Sequence, residues 1–232
     1  MLTIEKTVLP DSEQWRIVIE GMRNPMNSWG LSDTIYGEEF AIIGENDHKL
    51  MMSLANGGAV HAKYRRMIPV WVTVNAPLYW WKEADTYTVG KVQNSCSTMH
   101  KIQAKEFTLD DFSHEHLVGL HTTGYSESFI EEPHEMYGYS DWYSPSYVLE
   151  HFIIGALNAN REMFLETKDK KYWWQMIQLL PTSYNQKRTL MVNYEVLAKM
   201  YRERKNHKLD EWHTFCDWIR ALPYSELITM EE

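Results

Sequence analysis

The stretch Leu179–Trp212, LLPTSYNQKRTLMVNYEVLAKMYRERKNHKLDEW, constrains the chain most. Pro181 closes whatever precedes it, and Thr182 and Ser183 are residues that cap helices. Asn193, Leu197, Met200, Arg204 and His207 then recur at intervals of four, three, four and three. Such spacing predicts one long helix carrying all five on a single face. A face that mixes an amide, a guanidinium and an imidazole with Leu197 and Met200 does not suit a dry core, where a buried arginine must find a partner. It suits the wall of a binding site.

Elsewhere the pattern changes. QWRIVIEGM, from Gln14 to Met22, alternates apolar and polar residues and predicts a strand. A short helix is expected within Asp33 to Ile43. A second follows, capped by Asn46 or Asp47 and stopped at Gly57-Gly58. MIPVWVTV, from Met67 to Val74, is β-branched and aromatic and predicts a strand, with Pro69 placing it near an edge or a bulge. Pro77 suits the first turn of a helix from Leu78 to about Tyr87. Thr88 to Lys101 is a polar segment and reads as a loop. Phe107 to Phe112 predicts a short helix or turn, and residues 122–145 an irregular segment that serves as a lid, an interface loop or an insert. From Ser146 the chain reads as helical to its end, with helices over about Tyr147–Leu165 and Lys170–Leu179, the latter capped by Asp169. Strands early and helices late predict an α+β fold, an early sheet with a helical C-terminal half. The lack of a linker predicts a single domain over 1–232.

The chain carries a formal net charge of −9, which argues against coating a nucleic-acid polymer or an anionic membrane. Its two cysteines, Cys96 and Cys216, form no disulfide framework and no zinc pattern. No apolar run approaches a membrane span, and the first residues lack an apolar leader, so a cytoplasmic protein is expected. His114, His116 and His121 resemble a metal-ligand cluster in composition, but their spacing does not put neighbours one helical turn apart, and no metal site is expected.

The C-terminal pattern resembles the flavin-dependent thymidylate synthases. In that family a Leu-Pro pair precedes a long helix, an asparagine comes twelve residues after the proline, and an arginine eleven later. Leu180-Pro181, Asn193 and Arg204 occupy those places, and His207 and Trp212 fit the histidine and tryptophan that follow within about one residue. DHKLMMSLANGG (Asp47–Gly58), VTVNAPL (Val72–Leu78) and QNSCSTMH (Gln93–His100) are similar to earlier segments of the family, with Asn94 and Ser97 matching its nucleotide-binding stretch. The family's Arg-His-Arg triplet is absent, and Tyr87-Thr88-Val89 stand in its place. Lys82 and Lys91 are the nearest cations that would replace it.

The resemblance implies a homotetramer with FAD at subunit junctions, and methylation of dUMP at C5 to dTMP. Methylenetetrahydrofolate would be the carbon donor and NADPH the reductant. It implies Arg204 as the catalytic and substrate-binding group, Ser97 and Lys91 on the substrate, and Asn193, His207 and Asn94 on the cofactor. The residues alone leave other readings open. Arg204 also suits the negative end of a helix. Asn193 also suits a buried hydrogen bond, and His207 a basic patch with Lys205 and Lys208. A non-catalytic nucleotide-binding or structural homologue, or a flavoenzyme acting on another pyrimidine, are the alternatives.

Overall fold

The computed structural model describes residues 1–118 and 144–230. In chain order the elements are β1 (Thr3–Val8), α1 (Ser12–Arg23), β2 (Ile35–Tyr36), β3 (Ala41–Ile42), α2 (Glu45–Asn56), β4 (Pro69–Pro77), α3 (Leu78–Ala84) and β5 (Val92–Ser95). Then come α4 (Pro145–Tyr147), α5 (Gly155–Thr167), α6 (Lys170–Leu179), β6 (Asn185–Asn193), α7 (Tyr194–Arg204), α8 (Asp210–Arg220) and α9 (Glu226–Thr229). The α+β expectation holds. The chain divides into two compact units, one of Leu2–Ala76, Trp80–Ser95 and Lys187–Glu232, the other of Met1, Pro77–Tyr79 and Cys96–Gln186.

The first unit contains the main sheet, in the order β1-β4-β6-β5. β1 runs antiparallel to β4, with Thr3 opposite Asn75 and Val8 opposite Trp71, and the register shifts between Ile4 and Lys6. β5 runs antiparallel to β6, with Val92 opposite Met191 and Ser95 opposite Arg188. β4 buries Val70, Val72 and Val74 on one face. It lies between β1 and β6, so Pro69 does not mark an edge; it is the first residue of the strand, ahead of the residues that pair with β1. Trp80 stacks among Trp81, Trp212 and Phe215, with centroids 4.7, 4.8 and 5.4 Å away, and anchors α3 and α8 in the core.

Several expectations are corrected here. Gln14–Met22 is not a strand but part of α1. Trp15, Val18, Ile19 and Met22 are buried at helical spacing. Asp11 accepts from the Gln14 N–H at 2.8 Å while the Gln14 side chain accepts from the Asp11 N–H at 3.0 Å. This capping box sets the period that the short alternation concealed. Asp33–Ile43 is not a helix; it contains the paired strands β2 and β3. Helix α2 is capped at Gly44, with the Asp33 carboxylate accepting from the Asn46 and Asp47 N–H groups at 2.9 and 3.1 Å. Asp47 instead is buried, and accepts from Arg23 Nε at 2.6 Å and from Thr34 and Ser32 hydroxyls at 2.6 and 2.8 Å. The polar segment Thr88–Lys101 is not all loop, since it supplies β5.

The long helix expected over the Leu179–Trp212 stretch is also corrected, and with it the helical run from Ser146 onward. Asn185–Asn193 forms β6, which buries Gln186, Leu190 and Val192. The helix starts only at Tyr194. Asn193 therefore does not sit mid-helix: it is the N-cap of α7, its Oδ1 accepting from the Val196 N–H at 3.0 Å.

In the second unit, α4 leads through a wider π-type stretch, Val148–Ile154, into α5, which packs on α6. Asp169 caps α6 as expected, accepting from the Lys171 N–H at 3.0 Å. The core here is Ile102, Phe107, Phe112, Leu149, Ile154, Leu157 and Met176. Asn158 ties the preceding chain to α5 by bonding both backbone groups of Phe107, at 2.8 and 2.9 Å. His121 and most of the 122–145 segment lie outside the described residues; Ser144 and Pro145 open α4. No helix among the described residues is long and apolar enough to cross a membrane.

Candidate functional site

Helix α3 follows β4 without a break, and its last turn presents Glu83. One oxygen of that carboxylate, Oε2, receives Arg204 Nη1 at 3.1 Å, His207 Nε2 at 3.1 Å and Trp212 Nε1–H at 3.0 Å. Arg204 sits at the last residue of α7, His207 in the turn after it, and Trp212 in the first turn of α8. The carboxylate thus collects side chains from three successive segments. His207 Nδ1 accepts from the Leu209 N–H at 3.2 Å. In the neutral ring the proton is therefore on Nε2, facing Glu83.

Arg204 makes a further bond, from Nε to the Tyr87 hydroxyl at 2.9 Å. Its guanidinium lies over the rings of Trp212 and Tyr87, 5.1 and 5.7 Å from their centroids. Tyr87 in turn donates to Glu203 Oε2 at 2.8 Å. Burial, reinforced by the Glu203 carboxylate, pushes the Tyr87 phenol up to about 12 against the pull of Arg204.

Tyr87 also forms one wall of a pocket of about 350 Å³. Thr88, Val89 and Gly90 continue that wall, while Asn193, Val196 and Lys199 come from the start of α7 and Arg66 from the turn before β4. Gly90 has φ of +78°, and a Cβ there would lie 3.0 Å from Val196 Cγ2 and 3.2 Å from Asn193 Nδ2. The absence of a side chain keeps the two walls close. The Asn193 Oδ1 is occupied by the cap, which leaves its N–H₂ as the group available to a ligand. Glu195 lines the pocket too, but its carboxylate is neutralised by Arg65, 2.7 Å away. Among the described residues Arg66 makes no ion pair, and Lys199 only packs over the Tyr87 ring at 5.7 Å. The pocket therefore offers amide and cationic donors beside an aromatic wall, which suits a polar, anionic ligand.

The six residues named from the sequence do not converge equally. Arg204 and His207 meet at Glu83, and Asn193 stands in the pocket lined by Tyr87, whose hydroxyl Arg204 bonds from outside that lining. Lys91 is committed elsewhere. Its ammonium, on a side chain 4% exposed, donates to the Ala84 carbonyl at 2.6 Å and lies 3.4 Å from Asp85. Burial lowers its pKa, against the pull of Asp85. Asp85 also holds Arg188 at 2.9 Å and Gln93 at 2.8 Å. Asn94 is exposed on β5, opposite Thr189. Ser97 lies in the second unit, where its Oγ accepts from the His100 N–H at 3.0 Å. Among the described residues no group of His, Cys, Asp and Glu side chains is placed to hold a metal.

Glu83, Tyr87, Arg66 and Lys199 escaped the sequence reading. Glu83 and Tyr87 are four apart in LYWWKEADTY, the spacing of neighbours along a helix face. Arg66 belongs to an adjacent arginine pair just before a strand. Neither signal says which partner the side chain meets.

No family model matches this chain, and no curated protein does. Solved structures do match it in fold. The structure of Thymidylate Synthase X (ThyX) from Helicobacter pylori with FAD and dUMP matches with a TM-score of 0.61 and 15% identity, over 99% of this chain and 96% of that one. A second, flavin-dependent thymidylate synthase ThyX from the same organism complexed with FAD and dUMP, matches with a TM-score of 0.59 and 14% identity, over 99% and 97%. The chain has a ThyX-like fold.

Proposed function

We propose that this chain binds FAD and a uracil nucleotide and methylates the nucleotide at C5. The reaction converts dUMP, methylenetetrahydrofolate, NADPH and a proton into dTMP, tetrahydrofolate and NADP⁺. The observation that carries the reading is a coincidence of two kinds of placement. Tyr87-Thr88-Val89, which stand where the resembled family has its Arg-His-Arg triplet, and Asn193, which the resemblance puts on the cofactor, line one pocket in a fold whose solved relatives hold FAD and dUMP.

The donor set of that pocket fits part of a FAD. Its volume, near the lower end of ligand pockets, holds one portion of a dinucleotide rather than all of it. Arg66 and Lys199 would face the pyrophosphate, and the Asn193 amide would donate to a ring or sugar oxygen. When bound, the flavin supplies the hydride chemistry between NADPH and the transferred carbon. Arg204, held by Glu83 and Tyr87, would hydrogen-bond a pyrimidine carbonyl and stabilise negative charge on the ring. In the same reading Ser97, Lys91, Asn94 and His207 are the further substrate and cofactor contacts. A homotetramer completing the sites and a cytoplasmic location belong to this proposal.

One feature favours a second reading, a nucleotide-binding homologue without the reaction or a flavoenzyme for another pyrimidine. The Arg204 guanidinium is already engaged by a carboxylate and a phenol, so a pyrimidine would have to compete for it.

The test is to purify the protein, measure flavin absorbance with and without added FAD, and assay rescue of a thymidine-requiring host with Arg204→Ala as control. Flavin uptake with rescue lost in Arg204→Ala supports methylation. Uptake without rescue supports the second reading. A colourless protein that takes up no FAD overturns both flavin readings.

A further inference from the structure

Helix α1 carries a groove of about 460 Å³ on its exposed side. Ile17, Glu20, Gly21 and Asn24 form the floor, at intervals of three, one and three that keep side chains on one helix face. Trp29 and Met67 complete the lining. The Trp29 indole N–H donates to Asn24 Oδ1 at 2.9 Å, which holds the ring beside the end of the helix. A Cβ at Gly21 would lie 2.9 Å from Met67 Cε, so the glycine lets Met67 close on the helix. Ile17, Trp29 and Met67 stand about half out of the protein, at 56, 49 and 42% exposure. Glu20 is exposed too and makes no ion pair among the described residues.

The surrounding stretch is acidic and apolar at once. Residues 11–47 hold eight acidic side chains against two basic ones, Arg16 and Arg23, so six of the nine net negative charges belong to them. Both arginines are engaged, Arg23 with the buried Asp47 at 2.6 Å and Arg16 with Glu13 at 3.3 Å. Met26, Leu31 and Ile35 are exposed in the same stretch. Exposed apolar side chains gathered in this way mark a contact surface. The charge selects the occupant. A two-fold contact between copies of the chain would set this acidic face against itself. An anionic membrane or a nucleic acid would be repelled as well. A cation on an apolar stem meets both demands: its stem covers Trp29 and Met67, and its head answers Glu20.

We propose that this groove docks a basic amphipathic helix of a partner protein, with a lysine or arginine reaching Glu20 and apolar side chains seated against Ile17, Trp29 and Met67. The floor spans about two turns of α1, so an incoming helix can lie along it and bury one apolar stripe. Trp29 anchors the contact, and Glu20 selects the sign of the partner's charge. Neither residue takes part in the reaction proposed above.

The test is fluorescence anisotropy of labelled peptides with the full-length protein. The probes are a leucine–lysine peptide patterned as an amphipathic helix, a scrambled peptide of the same composition, and a leucine–glutamate peptide of the same pattern. The expected result is that only the patterned leucine–lysine peptide binds. Glu20→Gln should weaken it by about threefold to fivefold. Trp29→Ala, with its fold checked by circular dichroism, should weaken it by about tenfold or more. Glu39→Gln removes an equal charge from the same stretch away from the lining, and should leave binding nearly as it is. If the patterned peptide does not bind, or the scrambled one binds as well, the docking site is overturned. Equal losses in Glu20→Gln and Glu39→Gln would overturn it too, since the attraction would then be a general acidic field. If the native chain self-associates in sedimentation and Trp29→Ala disperses it, the occupant is a second copy and the basic partner is overturned.

Discussion

Arg204 and Glu83 form an ion pair, Nη1 to Oε2 at 3.1 Å, and the same oxygen serves His207 and Trp212. The carboxylate side chain is 34% exposed and the guanidinium side chain 20%, so the pair is half-shielded from water. A half-shielded carboxylate with several donors matters to its neighbours chiefly through what its loss leaves unpaired.

Glu83→Gln should therefore destabilise the protein by about 1–3 kcal/mol, because the amide keeps the shape but leaves the Arg204 charge unanswered. Urea denaturation checks this. A Glu83→Gln, Arg204→Gln double variant should lose less than the sum of the single losses, since the two side chains share one interaction. Strict additivity would show that the pair contributes nothing.

Asn193 carries two separable roles, the Oδ1 cap on α7 and the N–H₂ facing the pocket. Asn193→Asp keeps the cap and should leave the melting temperature within a few degrees. Asn193→Ala should cost about 1 kcal/mol. Both should weaken FAD uptake. Equal uptake by Asn193→Asp and the native chain would remove Asn193 from the cofactor contacts.

Gly90→Ala meets two obstacles, a left-handed φ of +78° and a Cβ 3.0 Å from Val196. The conformation alone should cost about 1–2 kcal/mol. The pocket should also narrow, so FAD affinity should fall in protein that remains folded by circular dichroism. A fully stable variant would show that the backbone at this turn rearranges freely.

The Tyr87 phenol titrates at about 12 in the folded chain against 10.0 for the free side chain, chiefly through burial. The folded state thus favours the protonated phenol. Its contribution to stability is complete below pH 10 and disappears as pH rises through the window from 10 to 12. Tyr87→Phe should flatten the loss of stability in that window, measured as urea midpoints at successive pH values. An unchanged slope would assign the loss to other groups, among them Tyr64 and Tyr194, whose phenols burial also pushes up.

Helix α6 was legible because its cap, Asp169, and its period lie within a dozen residues. β4 and the helix after Pro77 were legible for the same reason: β-branched residues, then a proline, then a helical run. The α+β class followed from these, and the spacing from Pro181 to Arg204 pointed to the fold that the solved relatives share. β6 was not legible. NQKRTLMVN can follow either period over so short a span, and what makes it a strand is hydrogen bonding to β4 and β5, partners far away in the chain. The error over α1 ran the other way, where a brief alternation concealed a capped helix.

The sequence by itself determined the polar residues at the two ends of α7 and the absence of the Arg-His-Arg triplet, since both are matters of residue type and local order. Only the tertiary structure decided what those residues do for one another. It made Asn193 a cap by ending a strand there, and it neutralised Arg204 with a carboxylate 121 positions away in the chain. It committed Lys91 to Asp85. The physical reason is that a charge carries no mark of its partner: pairing depends on distance in space, and the packing of β4, α3, α7 and α8 sets that distance.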